Sequence, residues 1–185
     1  MVADLLVDLA VDLGLDHRRD KSRDGLSERY LYSADMEYRY AFGRWWGQED
    51  LASTVVWVLL NPATGDTERR RRPTLERCIA WSRADFSGLL IVNLFAYRAT
   101  DPRVLRVASD PVGVANDDAL RRITADAPRT IVAWGSRGRL RGRSSAVASV
   151  LTTPMCLGTT KRGEPRHPLY VPSGTPLFPW TPSTP

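Results

Sequence analysis

Two amides and one imidazole follow apolar or proline-bounded stretches at positions where a chain turns: Asn61 in Leu59-Leu60-Asn61-Pro62, Asn93 in Val92-Asn93-Leu94-Phe95, and His167 in Arg166-His167-Pro168. A fourth polar turn, Ala133-Trp134-Gly135, follows another apolar run. An Asn side chain carries one acceptor and two donors, enough to read the edge of a planar ring. An imidazole exchanges a proton near neutral pH. Such groups suit the cleavage of a bond whose transition state separates charge, with water held on one side and a donor aimed at the departing atoms on the other. Each also has a plainer reading: Asn61 as turn chemistry before a proline, Asn93 as an amide tying a loop to backbone, His167 as a structural or surface residue. The chemical reading requires all of them to converge. In open parallel α/β sheets the carboxyl ends of the strands form the ligand crevice, so the sequence must supply parallel strands ending at these residues.

It does so in pattern. Val55 to Leu60 is an uninterrupted apolar run, the habit of a strand covered on both faces. Pro73 suits the first turn of a helix through Leu75, Cys78, Ile79 and Trp81-Ser82. Leu89 to Val92 and Thr130 to Ala133 read as further strands, and Met155 to Leu157 as a brief fourth ending at Gly158. Thr100-Asp101-Pro102 opens a short helix, Asn116-Asp117-Asp118 another that ends before Pro128, and residues 144 to 151 are helical. The alternation predicts a three-layer α/β sandwich with a central, mainly parallel four-stranded sheet and right-handed crossovers. Upstream, Leu5, Leu9 and Leu13, beside Val2 and Leu6, make one apolar face of an N-terminal helix that covers core or a partner. Asp4, Asp8, Asp12 and Asp16 repeat on another face, where like charges repel. His17 to Gly25 reads as a flexible charged link with His17 solvated. Between Glu28 and Gly47 an antiparallel ribbon turns around Ala34-Asp35-Met36, with Tyr30, Tyr32, Tyr38 and Tyr40 at period two. Those rings either pack against the sheet or, with Arg29, Arg39 and Arg44, stack bases. The Pro-rich stretch from Pro165 to Pro185 wraps the surface as extended chain. The expected organisation is an N-terminal helix and link over residues 1–27, then a single α/β domain over 28–185.

The charge pattern narrows the ligand. The net charge is +5 over 185 residues, 43% of them hydrophobic, with a pI near 9.6, which suggests an anionic partner. From Ala127 onward Arg129, Arg137, Arg139, Arg141, Arg143, Lys161, Arg162 and Arg166 face a single acid, Glu164. Ser136 to Arg143 mixes glycine with guanidinium groups directly after a strand, and matches neither a P-loop nor a dinucleotide fingerprint. Arg137, Arg139, Arg141, Lys161 and Arg162 are therefore expected at phosphates. Arg69 to Arg72 is a second basic run, and Asp66 and Glu68 beside it are the carboxylates nearest Asn61; Asp66 is a candidate base. Cys78 and Cys156 read as core thiols, since two cysteines make no disulfide framework or zinc site. No cofactor and no metal are expected, because no Asp, Glu, His or Cys cluster has ligand spacing. A chain with no stretch of membrane-spanning length and no secretory pattern at its start is expected in the cytoplasm.

These residues carry a resemblance. Leu60-Asn61-Pro62-Ala63-Thr64, Asn93-Leu94-Phe95-Ala96 with Arg98 and Thr100-Asp101-Pro102, Trp134-Gly135, and Cys156-Leu157-Gly158 leading to Gly163-Glu164-Pro165-Arg166-His167-Pro168-Leu169-Tyr170 resemble the bacterial family known as domain of unknown function 1643, from about Tyr38 to Trp180. More distantly, the order Asn61-Pro62, Asn93, Trp134-Gly135, His167-Pro168 is similar to that of the uracil-DNA glycosylase superfamily, although Leu169 stands in place of a Ser and Ala63 in place of Gly or Tyr. That resemblance implies a glycosylase-like fold and hydrolysis of an N-glycosidic base–sugar bond in DNA or a nucleotide. It implies that Asn61 or a neighbouring carbonyl holds the attacking water, that Asn93 reads the base, and that His167 faces the departing base. Asn61, His167 and Asp66 are then the expected catalytic residues. Asn93, Phe95, Arg98, Trp134, Gly135, Ser136 and Arg166 are the expected substrate contacts. Two other readings stand beside it: a hydrolase or transferase acting on a free nucleotide or another phosphorylated small molecule, and a non-catalytic module that binds nucleic acid or a protein.

Overall fold

A computed structural model describes residues 2–64 and 72–182 of the chain. Their elements run α1 (Val2–Leu13), β1 (Asp16–Lys21), β2 (Ser27–Tyr32), β3 (Arg39–Trp45), β4 (Thr54–Leu59), α2 (Pro73–Ser82), β5 (Gly88–Asn93), α3 (Asn116–Ala125), β6 (Thr130–Val132), α4 (Arg143–Ala148), β7 (Met155–Cys156) and β8 (Phe178–Pro179). The strands form one mixed sheet in the order β1-β2-β3-β5-β4-β6-β7-β8. β4 pairs parallel with β5 and β6, and β6 with β7, while β1 to β3 join antiparallel and reach β5 through β3. The sheet is thus larger than the four strands expected, because the ribbon is continuous with it rather than appended to it.

β4 shows why the sheet lies inside. All six of its residues are buried, and because side chains alternate between faces, Val56 and Val58 join one core while Val55, Trp57 and Leu59 join another. The first core is closed by Leu6 and Leu9 of α1, Leu120 and Ile123 of α3, and Val147 of α4; the second by Leu75 and Cys78 of α2. Each fully buried Leu or Val contributes about 1.5–3 kcal/mol. α1 lies with its apolar face down and its acids out, and Asp12 accepts a hydrogen bond from Arg122 on α3 at 2.8 Å. Both cysteines are free and buried, and burial pushes the Cys78 thiol up.

Three expectations are corrected. The charged link is a strand, β1, laid antiparallel on β2 from Asp16 opposite Tyr32 to Lys21 opposite Ser27. Its side chains are polar throughout, so apolar periodicity could not reveal it, and charges on an edge strand discourage further pairing. His17 within it is half-buried rather than solvated: its Nε2 is sealed without a partner, and burial, with Arg29 nearby, holds its pKa below the usual value. The tyrosines of the ribbon offer no stacking surface. Tyr30 and Tyr32 lie buried and stacked at 5.5 Å in the α2-side core, and Tyr40 is buried in the other, with Tyr38 stacked on it at 6.2 Å. Elsewhere Asp101 caps a 3-10 helix, Pro102–Arg106, through the Arg103 N–H at 2.9 Å. The proline-rich end closes the sheet as β8, an edge strand, and buries Trp180.

Candidate functional site

β4, β5 and β6 end together, and a cavity of about 760 Å³ opens at their carboxyl ends. Asn61 follows β4, Asn93 is the last residue of β5, and Trp134, Gly135, Ser136 and Arg137 follow β6. The side walls are Arg39 and Phe42 of β3, residues 72–75 where α2 starts, and Arg166, His167, Leu169 and Tyr170 beyond β7. Phe42, Leu59, Ile91 and Trp134 make much of its lining apolar.

Asn93 is 1% exposed, and both its Nδ2 and its Oδ1 are buried without a hydrogen-bond partner. Its backbone, by contrast, is pinned. Asn116 Nδ2 donates to the carbonyls of Asn93 at 3.1 Å and Leu94 at 3.0 Å, and Arg143 Nε donates to the Leu94 carbonyl at 3.0 Å. An unpaired buried amide costs about 1–3 kcal/mol, so a rigidly held one that faces a cavity has the character of a ligand group.

Asn61 is differently engaged. Its Nδ2 donates to the Ala99 carbonyl at 2.8 Å and to that of Pro62 at 3.1 Å. The Ala99 N–H in turn donates to the Pro62 carbonyl at 2.9 Å, and the hydroxyls of Thr64 and Thr100 meet at 2.6 Å. These bonds tie two loops of the rim together and leave the Oδ1 of Asn61 outside them.

His167 begins the 3-10 helix Pro168–Tyr170, whose Leu169 N–H donates to its Nδ1 at 3.4 Å. An accepting Nδ1 places the ring proton on Nε2, and burial lowers the pKa, so the imidazole is neutral. The loop that carries it is clamped to the end of β6. Gly135 has φ +74°, a conformation L side chains avoid, and an added Cβ would lie 3.4 Å from that of His167. The Gly135 N–H donates to the Pro165 carbonyl at 2.8 Å. Beneath it the buried Glu164 accepts from Trp134 Nε1 at 2.7 Å and Ser144 Oγ at 3.1 Å, and Trp180 meets Trp134 edge-on at 5.2 Å.

The charged residues in the described lining are Arg39, Arg72, Arg137 and Arg166, with no carboxylate among them. Arg39 and Arg72 lie over the same Phe42 ring, at 5.5 and 5.0 Å. Behind them Glu28, buried, pairs with Arg72 at 2.7 Å and with Arg44, and accepts from the Tyr30 hydroxyl at 2.7 Å. Burial, and then the bond to Glu28, pushes Tyr30 up to about 12.

Of the expected site residues, Asn61, Asn93, Trp134, Gly135, Ser136, Arg137, Arg166 and His167 line this cavity. Phe95 does not: it is wholly buried in the core under α1 and α3, because the strand-to-loop turn after Asn93 points it to the other face. Arg98 does not either; it donates to the Met36 carbonyl at 2.7 Å and lies over the Tyr32 ring, bracing the ribbon. Arg141 donates to the carbonyls of Ala108 and Ser109, and Arg139, Lys161 and Arg162 are exposed outside the lining. Asp66 lies outside the described residues, as do Glu68 and Arg69 to Arg71. Sequence reasoning passed over Arg39 and Arg72 as cavity residues, although Pro73 at a helix start already placed its neighbour at a strand-end loop. Among the described residues no three metal-ligating side chains gather, and no helix is long and apolar enough to cross a membrane.

A family model described as a protein of unknown function (DUF1643) matches residues 39–169, more than two thirds of the chain. No curated protein matches the chain, and no solved structure does.

Proposed function

The chain belongs to the DUF1643 family, and from that premise we propose that it binds a nucleotide unit, free or within a nucleic acid, and hydrolyses its base–sugar bond. The observation that carries the reading is Asn93: a buried, unpartnered amide facing a cavity whose described charged lining is all arginine. A base edge satisfies the amide, and apolar walls flank the ring. The arginines take phosphate oxygens.

In the reaction the C1′–N bond breaks, its electron pair departs with the base, and water adds to C1′. The neutral His167 donates its Nε2–H to the base as negative charge grows there, which an imidazolium is not needed to do. The Oδ1 of Asn61, or a carbonyl beside it, orients the water, whose proton passes to solvent. A three-layer arrangement of glycosylase type, with β5, β4, β6 and β7 as its parallel core, belongs to the same reading, as does an origin in DNA repair. A target within a duplex leaves the base stack to enter the cavity.

The test is release of free base from oligonucleotides carrying uracil, hypoxanthine or alkylated bases and from nucleoside monophosphates. Release that falls about 100-fold or more in His167→Ala supports the reaction. No release from any of them removes it, and retained binding then identifies a binding module. Asn93→Leu loses the ligand yet gains about 1–3 kcal/mol in stability, because an orphaned amide is replaced by an apolar group of similar size. Between the two forms of substrate, the free nucleotide is favoured by the position of Arg139, Arg141, Lys161 and Arg162 outside the lining. The cationic rim is then compact rather than a track.

A further inference from the structure

Asn61 and Asn93 are amides at neighbouring strand ends of one cavity, and only Asn61 is held in a fixed orientation. We propose that Asn93 lets the site accept two classes of base, those with a carbonyl beside a ring N–H and those with an amino group beside a ring nitrogen, by turning its amide over. This rests on the nucleotide reading above and adds its range of bases.

Strand alternation decides what surrounds the amide. In the sheet Leu59 of β4 lies opposite Asn93, and Trp57 of β4 and Phe42 of β3 lie opposite Ile91. Side chains two apart on a strand share a face, so Asn93 joins Leu89 and Ile91 on the α2 side of the sheet, beside Leu59 and Phe42. Phe42, Leu59, Leu75 and Ile91 line the cavity there, and their side chains carry no hydrogen-bonding group. The guanidiniums of that wall, Arg39 and Arg72, lie over the Phe42 ring, and neither bonds to the amide. The bonds from Asn116 and Arg143 reach only the backbone carbonyls of Asn93 and Leu94. The backbone of Asn93 is thus fixed in place while its side chain has nothing to tell oxygen from nitrogen.

The terminal torsion of an Asn is broad and roughly two-fold, and exchanging Oδ1 with Nδ2 leaves the shape of the side chain almost unchanged. With no partner on either atom, the two orientations of Asn93 differ only through the ligand. In one, Nδ2 donates to a base carbonyl and Oδ1 accepts from the adjoining ring N–H, the pattern of uracil and hypoxanthine. In the other, Oδ1 accepts from an amino group and Nδ2 donates to the adjoining ring nitrogen, the pattern of cytosine and adenine. Asn61 has no such freedom. Its Nδ2 donates to two carbonyls, of Ala99 at 2.8 Å and Pro62 at 3.1 Å, and turning it over would set Oδ1 against both oxygens.

Calorimetric titration of the native protein with 2′-fluoro-2′-deoxynucleoside 5′-monophosphates, whose electron-poor sugar resists cleavage, tests this. Uracil is set against cytosine and hypoxanthine against adenine, because the members of each pair differ only by exchange of donor and acceptor on one edge. The same bases are offered on the same sugar at the centre of single-stranded trinucleotides. In every pair that binds, the two members are expected to agree within about 10-fold, whereas an amide fixed in one orientation separates them by more, through the discrimination of a bidentate contact. The wider separation overturns the inference and leaves the nucleotide reading standing; binding of none of these ligands removes both. Asn93→Leu is expected to weaken both members of a pair alike, by about 10-fold or more. Undiminished binding to that variant means that the equality comes from a base edge Asn93 never reads, and overturns the proposal. Should the variant not fold, 2-deoxyribose 5-phosphate decides on the native protein: binding as tight as that of the nucleotides overturns the proposal, and weaker binding supports it.

Discussion

A histidine whose Nδ1 accepts a backbone N–H and whose ring is half-buried is poor at taking a proton, and His167 is in that state. Its pKa lies below the unfolded value of 6.5 because burial penalises the charged ring. Between the folded pKa and 6.5 the unfolded chain binds more protons than the native one, so stability rises with pH through that window. The contribution is complete above 6.5 and is lost as pH falls toward the folded pKa. Urea midpoints between about pH 5 and pH 8 are therefore expected to climb less steeply in His167→Ala than in the native chain; identical slopes would refute the half-buried, neutral ring. His17, depressed in the same direction, contributes to both proteins and cancels in the comparison. At this scale the sequence showed where Asn61, Asn93 and His167 sit along the chain, and could not show what each touches. The bond from Asn61 to the Ala99 carbonyl joins residues 38 positions apart, and the missing partner of Asn93 is a property of everything around it.

The cavity is held open by elements that a carboxylate joins. Glu164 accepts from Trp134 at the end of β6 and from Ser144 on α4, and so anchors the loop that carries Arg166 and His167. Glu164→Ala leaves an indole N–H and a hydroxyl buried and unsatisfied, at about 1–3 kcal/mol each. The expected result is a lower melting temperature with faster amide exchange confined first to residues 158–170, because local opening starts where the anchor is lost. Exchange that accelerates evenly over the sheet would show that the loop is not an independent unit. Strands with continuous apolar runs, β4 and β5, were legible in the sequence, as was the helix announced by Pro73. β1 was not, since an edge strand of charged residues owes its conformation to hydrogen bonds with β2 rather than to its own pattern. Glu164 read only as one acid among many bases until the fold brought Trp134 and Ser144 to it.

For the whole molecule the question is how much of the +5 charge acts at the site. Four guanidiniums line the cavity, whereas Arg139, Lys161 and Arg162 face solvent outside it. If the lining alone meets phosphates, the logarithm of affinity for a single strand against that of salt has a slope no steeper than about −3, from roughly 0.7 per phosphate contact. A steeper slope in equilibrium binding from low to physiological salt would enlist the outer charges and favour an extended nucleic-acid track. By itself the sequence determined which segments are buried strands and helices, because periodicity and proline placement act over a few residues at a time. It also determined that amides and an imidazole follow those segments. Tertiary structure alone decided that β1 to β3 extend the same sheet, that Phe95 and Arg98 turn away from the cavity, and that Arg39 and Arg72 line the same cavity as Arg137 and Arg166. Strand order is set by pairing between segments far apart in the chain, and local pattern carries no record of which neighbour each strand will take.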